Sequence, residues 1–151
     1  MNQLLTTDVH GAIEVTQRLS DLFAQRREQL ARAVGLTVAE WAALEQISEE
    51  HFMPSMFAKS RESSAAAVSK ILRQLLNKGL VAVAVDKADG RQRRYALTAR
   101  GRRTMESLRR RRERAIEAIW MDMDPEALER FTEFSRDLAA RLEAYAQRED
   151  H

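Results

Sequence analysis

The apolar period of this chain changes at Gly79. Upstream of it, Val68, Ile71, Leu72 and Leu75 recur at three- and four-residue intervals, the spacing of one helix face. Downstream, Val81, Val83 and Val85 alternate with Ala82 and Ala84, the spacing of a strand. A glycine at the junction suits a helix end, where the left-handed conformation closes the last turn. The polar run Asp86-Lys87-Ala88-Asp89-Gly90-Arg91 then reads as a turn, and Gln92 to Leu97 as a returning strand with Arg93, Tyr95 and Leu97 on one face. A helix feeding straight into a short hairpin leaves few fold classes open. With only 5 Gly and 2 Pro in 151 residues, the rest of the chain has long stretches available for helices.

Those stretches carry helix signals of their own. The first helix is predicted over about Val9 to Ala33, capped by Asp8, with Ala12, Val15, Leu19, Leu22, Leu30 and Ala33 as a heptad-like stripe flanked by Ile13 and Phe23. Arg26 interrupts the stripe, and Gly35 supplies the stop. Thr37-Val38-Ala39-Glu40 has the form of a capping box and opens a second helix to about Ser48, presenting Trp41, Leu44 and Ile47. Pro54 suits the first turn of a short third helix ending near Ser60. After the polar break Arg61-Glu62-Ser63, either Ser63 or Ser64 can cap a fourth helix, about Ala65 to Asn77, whose outward face carries Ser69, Lys70, Arg73 and Gln74. Thr98 caps a long fifth helix, about Ala99 to Trp120, with Met105, Leu108, Ile116, Ile119 and Trp120 along one side and Arg112 interrupting them. Asp124-Pro125 starts a sixth helix running to about Gln147, with Leu128, Phe131, Phe134, Leu138, Leu142 and Tyr145 at helical spacing.

Charge is concentrated in the middle of the chain. Residues 55–114 carry 17 Lys and Arg against five acids, a balance of +12, whereas residues 1–54 balance at −4 and residues 115–151 at −6. The overall net charge of +2 conceals this. A concentrated basic segment is what a nucleic-acid binder needs, because neutralising phosphates releases condensed counterions. A solvated charged surface has the same composition, so residue order has to decide. Several other classes are disfavoured. The chain contains no cysteine, so disulfides and thiol redox chemistry are absent. His10, His51 and His151 are too scattered for a metal site, and no phosphate-cradling glycine loop or nucleophile motif is present. The expectation is a protein that is not an enzyme and has no cofactor. No segment approaches ~20 consecutive apolar residues and the N-terminus lacks signal-peptide character, so a cytoplasmic location away from membranes is expected.

Two short helices, a polar break, a helix and a hairpin make a winged helix-turn-helix. The fold expected is therefore mainly α with a small β-hairpin wing, a winged helix-turn-helix over residues 35–98 flanked by long dimerisation helices at 8–33 and 99–148, all in a single domain of residues 1–151. A chain of this length has too little body to cover three long amphipathic helices, which favours a homodimer over an intramolecular helical cap.

The segments Phe57-Ala58-Lys59, Ser64-Ala65-Ala66-Ala67-Val68-Ser69-Lys70-Ile71-Leu72, Leu75-Leu76-Asn77-Lys78-Gly79-Leu80-Val81, Asp89-Gly90-Arg91 and Leu97-Thr98-Ala99-Arg100-Gly101 resemble the MarR family of bacterial transcriptional regulators. The flanking helices resemble the family in length and placement. The chain departs from the family pattern at Arg61-Glu62-Ser63, where apolar residues around a glycine are common, and at Ala82-Val83, where a basic residue is common. The resemblance implies a homodimeric repressor that binds a pseudo-palindromic operator and is released by a small-molecule ligand. It implies a ligand pocket where the dimer helices meet the winged segment, with Phe23, Trp41 and Met105 as candidate lining residues. It also implies that Arg91 enters the minor groove and that Asp89 orients it.

Double-stranded DNA is thus the expected partner, besides a second copy of the chain and a small effector. On the fourth helix, Ser64, Ala65, Ala66, Ser69, Lys70 and Arg73 lie on the N-terminal, outward part that meets base edges in a major groove. Small residues there let the helix sit deep against thymine methyls, although an alanine run is also plain helix composition. Lysine suits phosphates, and arginine can also read guanine bidentately. A guanidinium at a hairpin tip, as at Arg91, can enter a narrow minor groove, with Lys87 and Arg93 on nearby phosphates. The alternative of another class is an architectural protein that coats DNA without sequence choice. A winged scaffold that binds no DNA is a third reading, against which the basic middle argues.

Overall fold

A computed structural model of the chain describes residues 3–49, 52, 54–61, 63–85 and 93–149. The elements follow as α1 (Gln3–Ala33), α2 (Val38–Ser48), α3 (Pro54–Ser60), α4 (Ala65–Asn77), β1 (Val81–Val85), β2 (Arg93–Leu97), α5 (Ala99–Trp120) and α6 (Pro125–Glu149). The chain is mainly helical with one two-stranded antiparallel sheet, as its periodicity predicts. It divides into two compact units, residues 1–112 and 113–151.

Most boundaries are set by local chemistry. The Thr37 capping box forms in both directions: the Glu40 amide donates to Thr37 Oγ1 at 3.1 Å and the Thr37 amide donates to Glu40 Oε2 at 3.2 Å. Of the two candidate serines, Ser64 caps α4, accepting from the Ala67 amide at 3.1 Å. Gly35 (φ 75°) and Gly79 (φ 68°) end α1 and α4 in the left-handed conformation. In both cases the next amide reaches back five residues, Leu36 to the Ala31 carbonyl and Leu80 to the Leu75 carbonyl, which satisfies carbonyls that the helix end would orphan. Asp124 caps α6, accepting from the Ala127 amide at 3.2 Å. One cap expectation is corrected. α1 begins at Gln3, so Asp8 lies inside the helix rather than capping it. Nothing in Leu4-Leu5-Thr6-Thr7 forbids helix, and a good cap residue does not stop a helix already under way.

The core of the first unit gathers Leu30 and Ala31 of α1, Leu36, five residues of α2, Phe57 and Ala58 of α3, Val68, Leu72 and Leu75 of α4, Leu80 and Val81, and Leu108 of α5. The expected face of α2, Trp41, Leu44 and Ile47, is buried, but so are Ala42 and Ala43. α2 is therefore enclosed by its neighbours on several sides, and its small residues permit close approach. Phe52 stacks at a tilt on Phe57 (5.6 Å) and edge-on to Tyr95 (5.8 Å), tying the middle of β2 to α3.

In the sheet, Val81 pairs with Leu97, Val83 with Tyr95 and Val85 with Arg93. Only Val81 is buried; exposure rises to 43% at Val83 and 61% at Val85. The apolar alternation thus meets the core only at the hairpin base, and the distal half projects from the body. The start of α5 is fastened beneath it. Thr98 Oγ1 donates to the Gly79 carbonyl (2.6 Å) and accepts from the Gly101 amide (3.0 Å), and the Thr98 amide donates to the Leu80 carbonyl (3.1 Å).

In the second unit, Phe131, Phe134, Leu142 and Tyr145 of α6 are about half exposed or more, and α6 has no buried residue. α1 likewise leaves Val9, Ile13, Val15, Leu19, Leu22 and Phe23 exposed, so most of its predicted stripe is uncovered within one chain.

Candidate nucleic-acid interface

α4 has two faces of opposite character. Val68, Leu72 and Leu75 are buried and Ile71 is half-buried; Ala65, Ala66, Ser69, Lys70 and Arg73 are exposed. At roughly 100° per residue those five exposed positions fall within an arc of about 140° that contains none of the buried ones. Ser64 begins the helix and is exposed; its oxygen is committed to capping, which leaves its hydroxyl hydrogen free to donate outward. Gln74, expected on the outward face, is half-buried instead, because it lies toward the Ile71 edge of the helix. The free amides of the first turn and the positive end of the helix dipole lie at the same end as the small residues.

Arg93 is exposed on β2 and opposes Val85 at the distal end of the described hairpin, with Arg94 exposed on the other face. Lys87, Asp89 and Arg91, predicted at the wing tip, lie outside the described residues, as does Gln92 at the predicted strand start. The structure thus brings Ser64, Ala65, Ala66, Ser69, Lys70 and Arg73 onto one surface of α4 and places Arg93 on the strand leading from the wing.

A separate hollow of about 380 Å³ lies between α2, β2 and α5. Trp41, Leu97, Met105 and Leu108 form its apolar lining, with Glu45, Arg102, Glu106, Arg109 and Arg112 around them. Of the three candidate pocket residues, Trp41 and Met105 line it. Phe23 does not; it sits on the exposed stripe of α1, 56% accessible, because that part of the helix runs clear of α2. Arg27 stacks over Trp41 at 4.2 Å and pairs with Glu45 at 3.3 Å, and Arg112 lies 6.0 Å from the same ring. Arg102 donates to the Leu97 carbonyl at 3.1 Å. Hydrogen bonds from Arg109 hold the Glu106 carboxyl below the usual glutamate range, aided by the charges of Arg109 and Arg110, against a smaller upward push from desolvation. Sequence reading passed over these polar lining residues. Arg102, Met105, Glu106, Arg109 and Arg112 recur at helical spacing on α5, but of these arginines the sequence singles out only Arg112, as an interruption of the apolar stripe.

Among the described residues, no cluster of three or more His, Asp or Glu could hold a metal, and no helix is long and apolar enough to cross a membrane.

The matches with known proteins fit this geometry. The MarR family model matches residues 34–92, from just after α1 to just before β2. Solved structures match over nearly the whole chain. A MarR family transcription regulator superposes with a TM-score of 0.82 at 20% identity, covering 94% of this chain and 95% of that one. The YusO protein of Bacillus subtilis gives 0.71 at 20% identity, with 93% and 98% covered. The Staphylococcus aureus MepR–DNA complex gives 0.64 at 18% identity, with 85% and 94% covered. No curated protein matches the sequence. Residues 34–92 of this chain thus match the MarR family model, and the chain as a whole has the fold of these solved structures.

Proposed function

We propose that the chain is a homodimeric, DNA-binding transcriptional regulator, acting as a repressor on a pseudo-palindromic operator and released by a small anionic ligand. One observation carries the DNA-binding reading: α4 exposes Ser69, Lys70 and Arg73 on the face opposite its buried Val68, Leu72 and Leu75, within a segment of +12. A helix so anchored can enter a major groove with its N-terminal residues toward base edges while neighbouring cations meet phosphates. That one solved relative of the same fold is a complex with DNA supports the reading.

The uncovered stripes of α1 and α6 support the dimer, since exposed apolar surface of that extent marks an interface. We take α1 at 8–33 and the helices at 99–148 as the dimerisation helices. The hollow beneath Trp41 supports the ligand. Three arginines outnumber its two carboxylates, and its apolar lining suits the body of a small organic anion. Release follows if the occupied hollow favours a spacing of the two α4 helices that no longer matches successive grooves.

The test is a titration at fixed salt against a duplex enriched by the wild-type protein from a random pool, and against its scrambled counterpart. A regulator should separate the two by ~10³ or more in Kd. Equal affinities would replace this reading with that of a DNA-coating architectural protein, and no affinity for either with that of a scaffold.

A further inference from the structure

Lys78, the residue after the last turn of α4, is joined to two other helix ends. Its ammonium donates to the Gly35 carbonyl at 2.8 Å, just past the end of α1, and to Glu40 Oε2 at 2.6 Å, in the first turn of α2. Glu40 is 1% exposed, the one buried charged residue among the described residues. Its carboxylate also closes the capping box on the Thr37 amide. A carboxylate taken out of water in this way is tolerated only with its partners in place. The next residue is fixed from the opposite direction, because the Gly79 carbonyl accepts the Thr98 hydroxyl at the start of α5. The C-terminal end of α4 is therefore fastened to α1 and α2 through one side chain and to α5 through the adjoining backbone.

We propose that Lys78 is a positioning residue for DNA recognition, acting through Glu40 and Gly35 to hold the tilt of α4 rather than by touching DNA. The inference rests on the DNA-binding reading above. α4 has 13 residues and is about 20 Å long, so a 5° swing about its C-terminal end displaces its first turn by about 1.7 Å. A hydrogen bond to a base edge does not survive such a shift, since donor–acceptor distances hold within a few tenths of an ångström. Attraction to phosphates does survive it, being long-ranged and indifferent to register. Loosening the latch thus removes sequence discrimination while leaving non-specific binding.

The experiment uses the full chain and three variants, Lys78→Met, Glu40→Gln and the double variant, each checked for helical content and oligomeric state. Glutamine preserves the capping box, so Glu40→Gln removes the charge without removing the cap. Each is titrated against the duplex enriched by the wild type and against a scrambled duplex. Both single variants should lose about tenfold or more on the enriched duplex and less than about twofold on the scrambled one. The double variant should lose no more than either single variant. Lys78→Arg should recover most of the discrimination. If Lys78→Met weakens both duplexes equally, Lys78 is a phosphate contact; if Glu40→Gln leaves discrimination intact, the Glu40 charge is not what Lys78 acts through; either result overturns the proposal. A wild type that enriches no duplex overturns the DNA-binding reading itself, which is a distinguishable failure.

Discussion

A Cβ on Gly101 would sit 2.1 Å from the Leu80 carbonyl oxygen, a backbone atom that also accepts from the Thr98 amide. The glycine after Leu97-Thr98 is required by close approach rather than by backbone conformation. Gly101→Ala should cost about 2–3 kcal/mol, measured as a lower midpoint in urea at unchanged slope; a loss below about 0.5 kcal/mol would mean that the Leu80–α5 junction is not packed as described. Thr37→Ala removes one half of the capping box and should cost about 1 kcal/mol in the same measurement. At Glu106, the hydrogen bonds from Arg109 depress the carboxyl pKa, so the ion pair is formed at neutral pH and is lost as pH falls through that lowered value. Because the group is exposed, the effect belongs to the charge of the hollow rather than to stability. A carboxyl-carbon NMR titration should place the Glu106 midpoint below the usual glutamate value, and Arg109→Gln should move it back up. An unmoved midpoint would show that Arg109 is not the cause.

At the scale of elements, the parts legible in the sequence were those set by neighbours along the chain. The capping box at Thr37, the serine cap of α4, the glycine stops at Gly35 and Gly79 and the change of period after Gly79 each involve residues within about five positions of one another. What was not legible depends on residues brought together from far apart. The Lys78–Glu40 link spans 38 positions, and the hollow draws its lining from α2, β2 and α5. Asp8 misled because a cap residue is only a permission to start, and Phe23 because the stripe it flanks continues past the point where α2 ends its cover. For α4, Lys70→Ala should reduce the slope of log Kd against log salt by about one, the loss of one phosphate contact. An unchanged slope would remove Lys70 from the interface. Reversing the wing charge, Arg91→Glu, should weaken binding to the enriched duplex without changing the oligomeric state, and unchanged affinity would remove Arg91 from the contact surface.

For the whole molecule, the distribution of charge and of uncovered apolar surface leads to the same arrangement. On the proposed reading, the basic segment and its outward helix face meet DNA, and a second copy covers the exposed stripes of α1 and α6. In sedimentation, the species should have twice the 17.3 kDa of one chain. Phe134→Arg, at a side chain 64% exposed, should reduce it to a single chain and weaken DNA binding with it. The most direct test is a hydroxyl-radical footprint on the duplex enriched by the wild type. Two copies presenting one α4 each should protect two symmetric patches whose centres are about 10 base pairs apart, one helical turn. Continuous, uniform protection along the duplex, or a single asymmetric patch, would contradict a paired reading of DNA by this chain.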